Sequence, residues 1–428
     1  MPASGPLNII CLATYFKGVD FLRECKRRGC HVVLVTKEKM LNEDWPRESL
    51  DDLFAVPDDA PLELFIDLVC YLAKQRRIDR VVALEEFDVI NAAAIREHLR
   101  LPGMSASIAR VFRDKLAMSV KAKAAGIDVP EFVPLINRDE IADFMNRVPP
   151  PWIIKPRADV SAIGIRKALE PAEVWSGIEE LNARERLRER ASYYLLARFI
   201  PGEVFHVDSI VNNGRVLFAG ANQYGRPPMQ VAHGGGAYIS HTIAHGSEDQ
   251  KKLFAINRSL VKTLGLQAGA THAEFIKGAD GNFYFLEIAA RVGGAYIADV
   301  LEAASGVNLW REWARIETAE APGQKPDRGV PDAAAALGWD GQRGLAAKKI
   351  NPLRKEYAGI VLSLARQEYP DTAAYDDPEI VYRVKKRHHV GLIVRSRKLE
   401  RVTELLDHYA RRFADDFIAV VAPLERAE

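Results

Sequence analysis

The chain has 428 residues, 48% of them hydrophobic and 27% charged, with a formal net charge of +1. That length accommodates about two to four domains around a sizeable core, and the near-neutral balance supplies no global field for nucleic acid or an anionic membrane. No apolar run approaches the ~20 residues needed to span a bilayer, and the opening stretch, MPASGPLNIICLAT, lacks a basic region leading into a long apolar one, which argues against a secretory signal.

The four cysteines, Cys11, Cys25, Cys30 and Cys70, fall in apolar or helical patterns without C-x-x-C spacing. They read as buried or incidental thiols of a cytoplasmic protein. Residues 8–13, 31–36 and 80–84 are strand-like apolar runs, and 19–28, 62–76 and 87–99 carry helical spacing. This alternation predicts a doubly wound parallel sheet over residues 1–112. The strand ends at Thr14 and Glu85-Glu86 point into the crevice where such sheets bind ligands. No G-x-G-x-x-G follows the first strand, so no dinucleotide site is expected.

Residues 113–125 predict a helix stopped by Gly126, and 152–155 a strand whose Pro156 suits a strand end. The following loop, PRADVSAIGI, is rich in small residues. Residues 171–190 read as a charged, solvated helix. Strands at 193–200 and 203–211 join at Pro201-Gly202, and Asn213-Gly214 turns the chain into 215–219. Residues 223–240, containing Gly234-Gly235-Gly236, form a turn-rich loop, either over a site or on plain surface. A helix at 250–264 precedes a hairpin, and helices follow at 297–303 and 309–318. A linker at 321–332 leads to a small α+β domain, 330–428, with strands near 359–365, 380–384 and 390–394 and a helix at 399–413. The basic run Lys385-Lys386-Arg387-His388-His389 reads as a solvated turn.

The hairpin carries the chemistry. Asp280-Gly281 lies between two apolar runs, a strong two-residue turn signal. With that loop, Glu274 faces Glu287 across the ladder. His272, Glu274, Ile276, Phe285, Glu287, Ala289 and Arg291 then share one face, while Ala273, Phe275, Tyr284, Leu286 and Ile288 share the other. Opposed like charges on a sheet are unfavourable by roughly 0.2–1 kcal/mol. The pair therefore implies a cation between the two carboxylates, and magnesium suits such hard oxygen ligands. The plainer alternative is a hairpin with solvated glutamates.

Taken in order, these motifs resemble the ATP-grasp superfamily, in particular its carboxylate–amine (L-amino-acid) ligases, over about residues 113–318. The resemblance implies an ATP-grasp domain at 113–320, with a lid subdomain at about 120–200 and two α+β subdomains that hold ATP between them. It also implies an ATP-dependent, ADP-forming ligase (EC 6.3 type). Such an enzyme activates a small carboxylate as an acyl phosphate and joins it to an amine, giving an amide or peptide bond. By the same resemblance Lys115 and Lys155 hold the ATP phosphates, Ser161 and Gly164 lie in the lid loop, the backbone of Arg198, Phe199 and Ile200 reads adenine, and Glu203 accepts the ribose hydroxyls. Glu274 and Glu287 would bind Mg2+ (or Mn2+), and Arg291 and Lys155 would be catalytic.

Ala197 departs from the Glu that many members carry there. Glu287-Ile288-Ala289-Ala290-Arg291 lacks the Asn of the frequent Glu-x-Asn-x-Arg pattern, which leaves one or two ions open. His272, His233, Arg226, Gly293 and Gly294 are candidate substrate contacts, although for His272 a packed, hydrogen-bonded role is the preferred reading. The expected partners are small-molecule carboxylate and amine substrates, with no nucleic acid and no membrane; a homodimer is compatible with the resemblance. Two further readings stay open: an ATP-grasp carboxylase or purine-pathway enzyme, and a nucleotide-binding regulatory protein without turnover.

Overall fold

Four short strands near the N-terminus pair in parallel: β1 (Asn8–Leu12), β2 (His31–Lys37), β3 (Asp52–Val56) and β4 (Arg80–Ala83), in the order β3-β2-β1-β4. Ile9 and Cys11 pack on one face and Ile10 and Leu12 on the other, as a parallel sheet covered on both sides requires. The sequence missed β3, an edge strand whose side chains are mostly half-buried and whose apolar signature is correspondingly weak. The computed structural model describes residues 5–159, 164–229, 231, 235–319, 350 and 352–417. Ser161, His233 and the predicted linker at 321–332 lie outside the described residues.

A small antiparallel sheet follows: β5 (Phe132–Pro134), β6 (Trp152–Pro156), β7 (Arg166–Ala168) and β8 (Tyr194–Arg198), ordered β5-β8-β6-β7. Helices Arg138–Arg147 and Pro171–Asn182 pack on it through Phe144, Val174 and Leu181. The second helix ends earlier than expected, because the Arg- and Glu-rich stretch after Asn182 offers no apolar stripe to bury.

The rest of the chain builds an eight-stranded sheet. Its strands are β9 (Gly202–Asn212), β10 (Arg215–Tyr224), β11 (Tyr238–Thr242), β12 (Ala268–Gly278), β13 (Phe283–Ala289), β14 (Tyr357–Leu364), β15 (Ile380–Arg383) and β16 (His389–Ser396). Their order is β13-β12-β9-β10-β11-β14-β16-β15. Asn213-Gly214 is the two-residue turn expected, with φ of 50° and 68°.

The C-terminal strands do not form a sheet of their own. β14 pairs with β11 from Tyr238↔Leu362 to His241↔Gly359, so the α+β segment extends the central sheet. Gly359 permits this pairing, since a Cβ there would sit 2.8 Å from the Cβ of His241. The N-terminal domain is likewise fastened to the centre: Phe21 packs edge-on against Trp313 at 5.3 Å, within one core that also holds Ile210, Ile297 and Leu301. Among the described residues no helix is long and apolar enough to cross a membrane.

Candidate active site

The hairpin brings Glu274 opposite Glu287 and His272 opposite Ala289, as the sequence predicts. Two deviations cancel on the way. The loop has three residues rather than two: the Gly278 N–H donates to the Asn282 carbonyl, and Gly281 takes φ of +76°. Leu286 then forms a bulge between the Glu274↔Glu287 and Phe275↔Phe285 pairs, restoring the register. The bulge reassigns the faces beyond it. Phe285 turns into the core with Phe275 and Phe283, while Tyr284 and Leu286 pack beside Ile276 and Ile200 on the site side.

A cavity of about 620 Å³ lies between this sheet, the small sheet and the N-terminal domain. Lys115, Lys155, Arg198, Phe199, Ile200, His272, Glu274, Glu287, Ala289, Arg291 and Gly294 all line it. Lys115 heads its helix behind the N-cap of Asp114, whose carboxylate accepts from the Leu116 and Ala117 N–H groups. Its ammonium donates to the Asp159 carbonyl at 2.6 Å and meets Glu287 at 2.5 Å. Lys155 projects from β6, and no described group bonds its Nζ. Burial above all, and then the charge of Lys115, push its pKa down to about 8, against the opposing pull of Glu287 and Glu274.

The segment leaving β8 is partly saturated: the N–H of Arg198 donates to Glu131 and that of Phe199 to Pro151. Among the described groups the Ile200 N–H has no hydrogen-bond partner. Gly202, where the chain enters β9, has no room for a side chain, since a Cβ would lie 2.0 Å from the Lys277 carbonyl oxygen.

The N-terminal domain adds charged groups that the sequence placed at the crevice without giving them a role. Glu86 is buried and binds both Arg113 (2.6 Å) and Arg291 Nε (2.8 Å). Burial raises its pKa, but the two guanidiniums outweigh this and hold it below the usual range. Burial likewise disfavours the Arg291 cation, and the charges of Glu86, Glu85 and Glu287 more than compensate. Lys17 pairs with Glu85 at 2.6 Å, and both line the cavity. Beside them Asp88 accepts from the Thr14 N–H (2.8 Å) and hydroxyl (3.2 Å); burial and then Glu85 push its pKa up to about 7, against those bonds.

Beneath Glu274 runs a buried polar chain absent from the expected site. Asp208 accepts from His206 Nδ1 at 2.6 Å and His272 Nδ1 at 2.8 Å. His206 Nε2 meets the Ser240 hydroxyl at 2.8 Å, and His272 Nε2 lies 3.3 Å from Glu274 Oε1. Tyr224 donates to the same Oε1 at 2.6 Å. Burial lowers the His272 pKa, but the Asp208 charge and hydrogen bond overcome it, giving about 9. Glu274 is held well below the carboxylate range by His272 and Tyr224 despite its burial. Among the described residues His206, Asp208 and His272 gather their ligand atoms within 4.8 Å, yet these hydrogen bonds already engage them. The signal was present in β9: His206 and Asp208 alternate with the apolar Phe205 and Val207, two polar residues on one strand face.

Several expected contacts are not brought in. Glu203 is exposed and lies on the opposite sheet face with Phe205, because Val204, the next residue, lines the cavity. Gly164 is exposed off the cavity wall, and Arg226 is exposed with its guanidinium against Gly236. Gly293 serves the buried chain: a Cβ there would sit 2.8 Å from Asp208 Oδ1 and 3.0 Å from His272 Nδ1. Glu274 and Glu287 supply hard oxygens, and no described group pairs with Oε2 of Glu274, so the donor set fits a divalent cation shared with phosphates.

Two family profiles match, one described as "ATP-grasp N-terminal domain" over residues 22–103 and one as "ATP-grasp domain" over 148–299. The chain belongs to the ATP-grasp superfamily. It is 24% identical over 276 residues to the L-arginine-specific L-amino acid ligase of Bacillus subtilis, a match spanning 64% of this chain and 65% of that relative. Its fold is similar to that of an L-amino acid ligase from Bacillus licheniformis, with a TM-score of 0.70 and 16% identity over 98% of this chain and 100% of that one. It is also similar to the biotin carboxylase domain of Hydrogenobacter thermophilus 2-oxoglutarate carboxylase, solved with MgADP, ADP and bicarbonate, with a TM-score of 0.68 and 16% identity over 96% and 90% of the two chains.

Proposed function

We propose that the protein is an ADP-forming ligase that activates a small carboxylate, that of an amino acid, as an acyl phosphate and joins it to the amine of another. The observation that carries this reading is the convergence on one cavity of two lysines, two facing glutamates and an arginine, with charged N-terminal-domain groups on the adjoining wall. The amino acid ligase relative supports the substrate class.

In this reading Lys155, with no internal bond to break, binds ATP phosphate oxygens, and Lys115 leaves Glu287 to join it. The Ile200 N–H and the apolar cleft around Phe199 receive the base. Glu274 and Glu287 would hold magnesium, which neutralises phosphate charge when bound. Arg291, oriented by Glu86, stabilises charge on the phosphoryl group as it passes to the carboxylate. The incoming amine then attacks the acyl carbon, and phosphate leaves. Tyr224, Tyr238 and Leu286 on the cavity wall would limit water around the acyl phosphate and so disfavour its hydrolysis.

The test is ADP release across an amino-acid panel, with and without bicarbonate, using Glu287→Gln as control. We expect release that needs amino acids, is indifferent to bicarbonate, and falls roughly 10²–10³-fold in the variant. Release that requires bicarbonate would favour the carboxylase reading suggested by the second fold relative. Turnover unchanged by Glu287→Gln would remove the assignment.

A further inference from the structure

The buried chain under Glu274 ends on one particular oxygen. Tyr224 and His272 both approach Oε1, at 2.6 and 3.3 Å, and no described group bonds Oε2. We infer that Tyr224 and His272, the latter held by Asp208 and His206, are positioning residues that clamp one oxygen of Glu274 and turn the other toward a divalent cation in the cavity. The inference rests on the proposed nucleotide–metal role of the cavity, and goes beyond it to the residues behind the ligand.

Donor and acceptor accounting supports a fixed clamp. Asp208 accepts through both oxygens, so each histidine presents Nδ1–H to it. His206 Nε2 is then free to accept from the Ser240 hydroxyl. His272 Nε2 faces the Glu274 carboxylate, which only accepts, and Tyr224, whose proton is already given to Glu274 at a distance of 2.6 Å. His272 must therefore donate from both nitrogens, and its ring has a single orientation that satisfies both partners. Tyr224, His272, Asp208, His206 and Ser240 are all buried, so the bonds among them are not exchanged with water at low cost.

The surrounding backbone leaves space for this arrangement and for nothing larger. Gly293 presses on Asp208 Oδ1 and His272 Nδ1 so closely that a methyl group would displace them. The rings of His206 and Tyr224 pack at 4.7 Å, and those of His206 and His272 at 5.1 Å. The clamp is thus set by the β9, β10 and β12 strands together with the Gly293 turn. It resembles the supporting shells of metal sites in general, where the partners behind a ligand fix its orientation.

The test measures Mn2+ binding to the whole protein by electron paramagnetic resonance, in the presence of a non-hydrolysable ATP analogue. Nucleotide affinity in EDTA serves as the internal comparison. Wild type is compared with Asp208→Asn and with Tyr224→Phe, a change that keeps the ring and removes only the hydroxyl. We expect each variant to bind Mn2+ about tenfold or more weakly, with metal-free nucleotide affinity changed less than about twofold. A merely structural role would move both affinities or neither. Should Asp208→Asn fail to fold, Tyr224→Phe decides the matter. Wild-type Mn2+ affinity in folded variants would overturn the inference while leaving the ligase reading intact. A wild-type protein that binds Mn2+ and nucleotide but forms no product would sink the ligase reading and leave the clamp standing. Wild-type protein that binds no Mn2+ would overturn both.

Discussion

The two sides of the cavity differ in what satisfies their charges. On the sheet floor, Glu274 is bonded by Tyr224 and His272, and His272 in turn by Asp208. On the N-terminal side Glu86 bridges Arg113 and Arg291 through its two oxygens. These groups are oriented before any ligand arrives, with Oε2 of Glu274 left without a described partner. On the opposite wall Lys155 is half-buried with a depressed pKa and no described partner, and Lys115 rests on Glu287. The first kind of group orients; the second awaits an anion. The protein thus builds rigidity where a carboxylate or guanidinium must not move, and leaves unsatisfied charge where the proposed reading puts the phosphates.

Breaking each side should therefore look different. On the proposed reading, losing a metal carboxylate by Glu287→Gln carries the largest effect, the roughly 10²–10³-fold loss of turnover given above. Next, Glu86→Gln removes the buried charge between two largely buried guanidiniums, and breaking such a pair costs about 3–5 kcal/mol. The nucleotide-free protein should melt at clearly lower temperature in calorimetry, and an unchanged melting temperature would refute the pre-formed character of that side. Lys155→Met should do the reverse. The free protein keeps or gains stability, since an unpaired, partly desolvated ammonium is removed, while nucleotide affinity by titration calorimetry falls roughly 10–100-fold.

The smallest effect is a proton count. Lys155 has a folded pKa of about 8, below its ordinary 10.5. Between these values the unfolded chain holds a proton that the folded, ligand-free protein lacks, so this lysine makes stability rise with pH across that window and imposes its full penalty below pH 8. Bound phosphates draw the proton back. Nucleotide binding near pH 9 should take up about one proton, seen as a dependence of the calorimetric enthalpy on buffer ionisation. No uptake would mean that the ammonium is already paired.

Much of the fold was legible because its signals are local. Alternating apolar runs marked the parallel sheet, and Asn213-Gly214 and Asp280-Gly281 marked hairpins. The facing glutamates came out correctly although the loop was one residue longer than assumed and Leu286 bulged. Neither deviation had a signature, since Phe283 to Leu286 is continuously apolar and hides its own phase. Glu203 was carried over by resemblance against the parity of β9, which places Val204, His206 and Asp208 toward the cavity. That parity was readable, and it also held the buried chain. The join of β14 to β11 and the grip of Glu86 on Arg291, 205 residues away in sequence, depend on long-range packing that no local pattern encodes.

The central claim, activation of a carboxylate through its acyl phosphate, is tested most directly with 18O. An amino acid labelled in its carboxylate is supplied with ATP and an amine partner, and the released phosphate is analysed by mass spectrometry. The account predicts one 18O atom transferred to phosphate for each amide formed, with ADP as the nucleotide product. Unlabelled phosphate accompanying amide formation, or AMP in place of ADP, would contradict it.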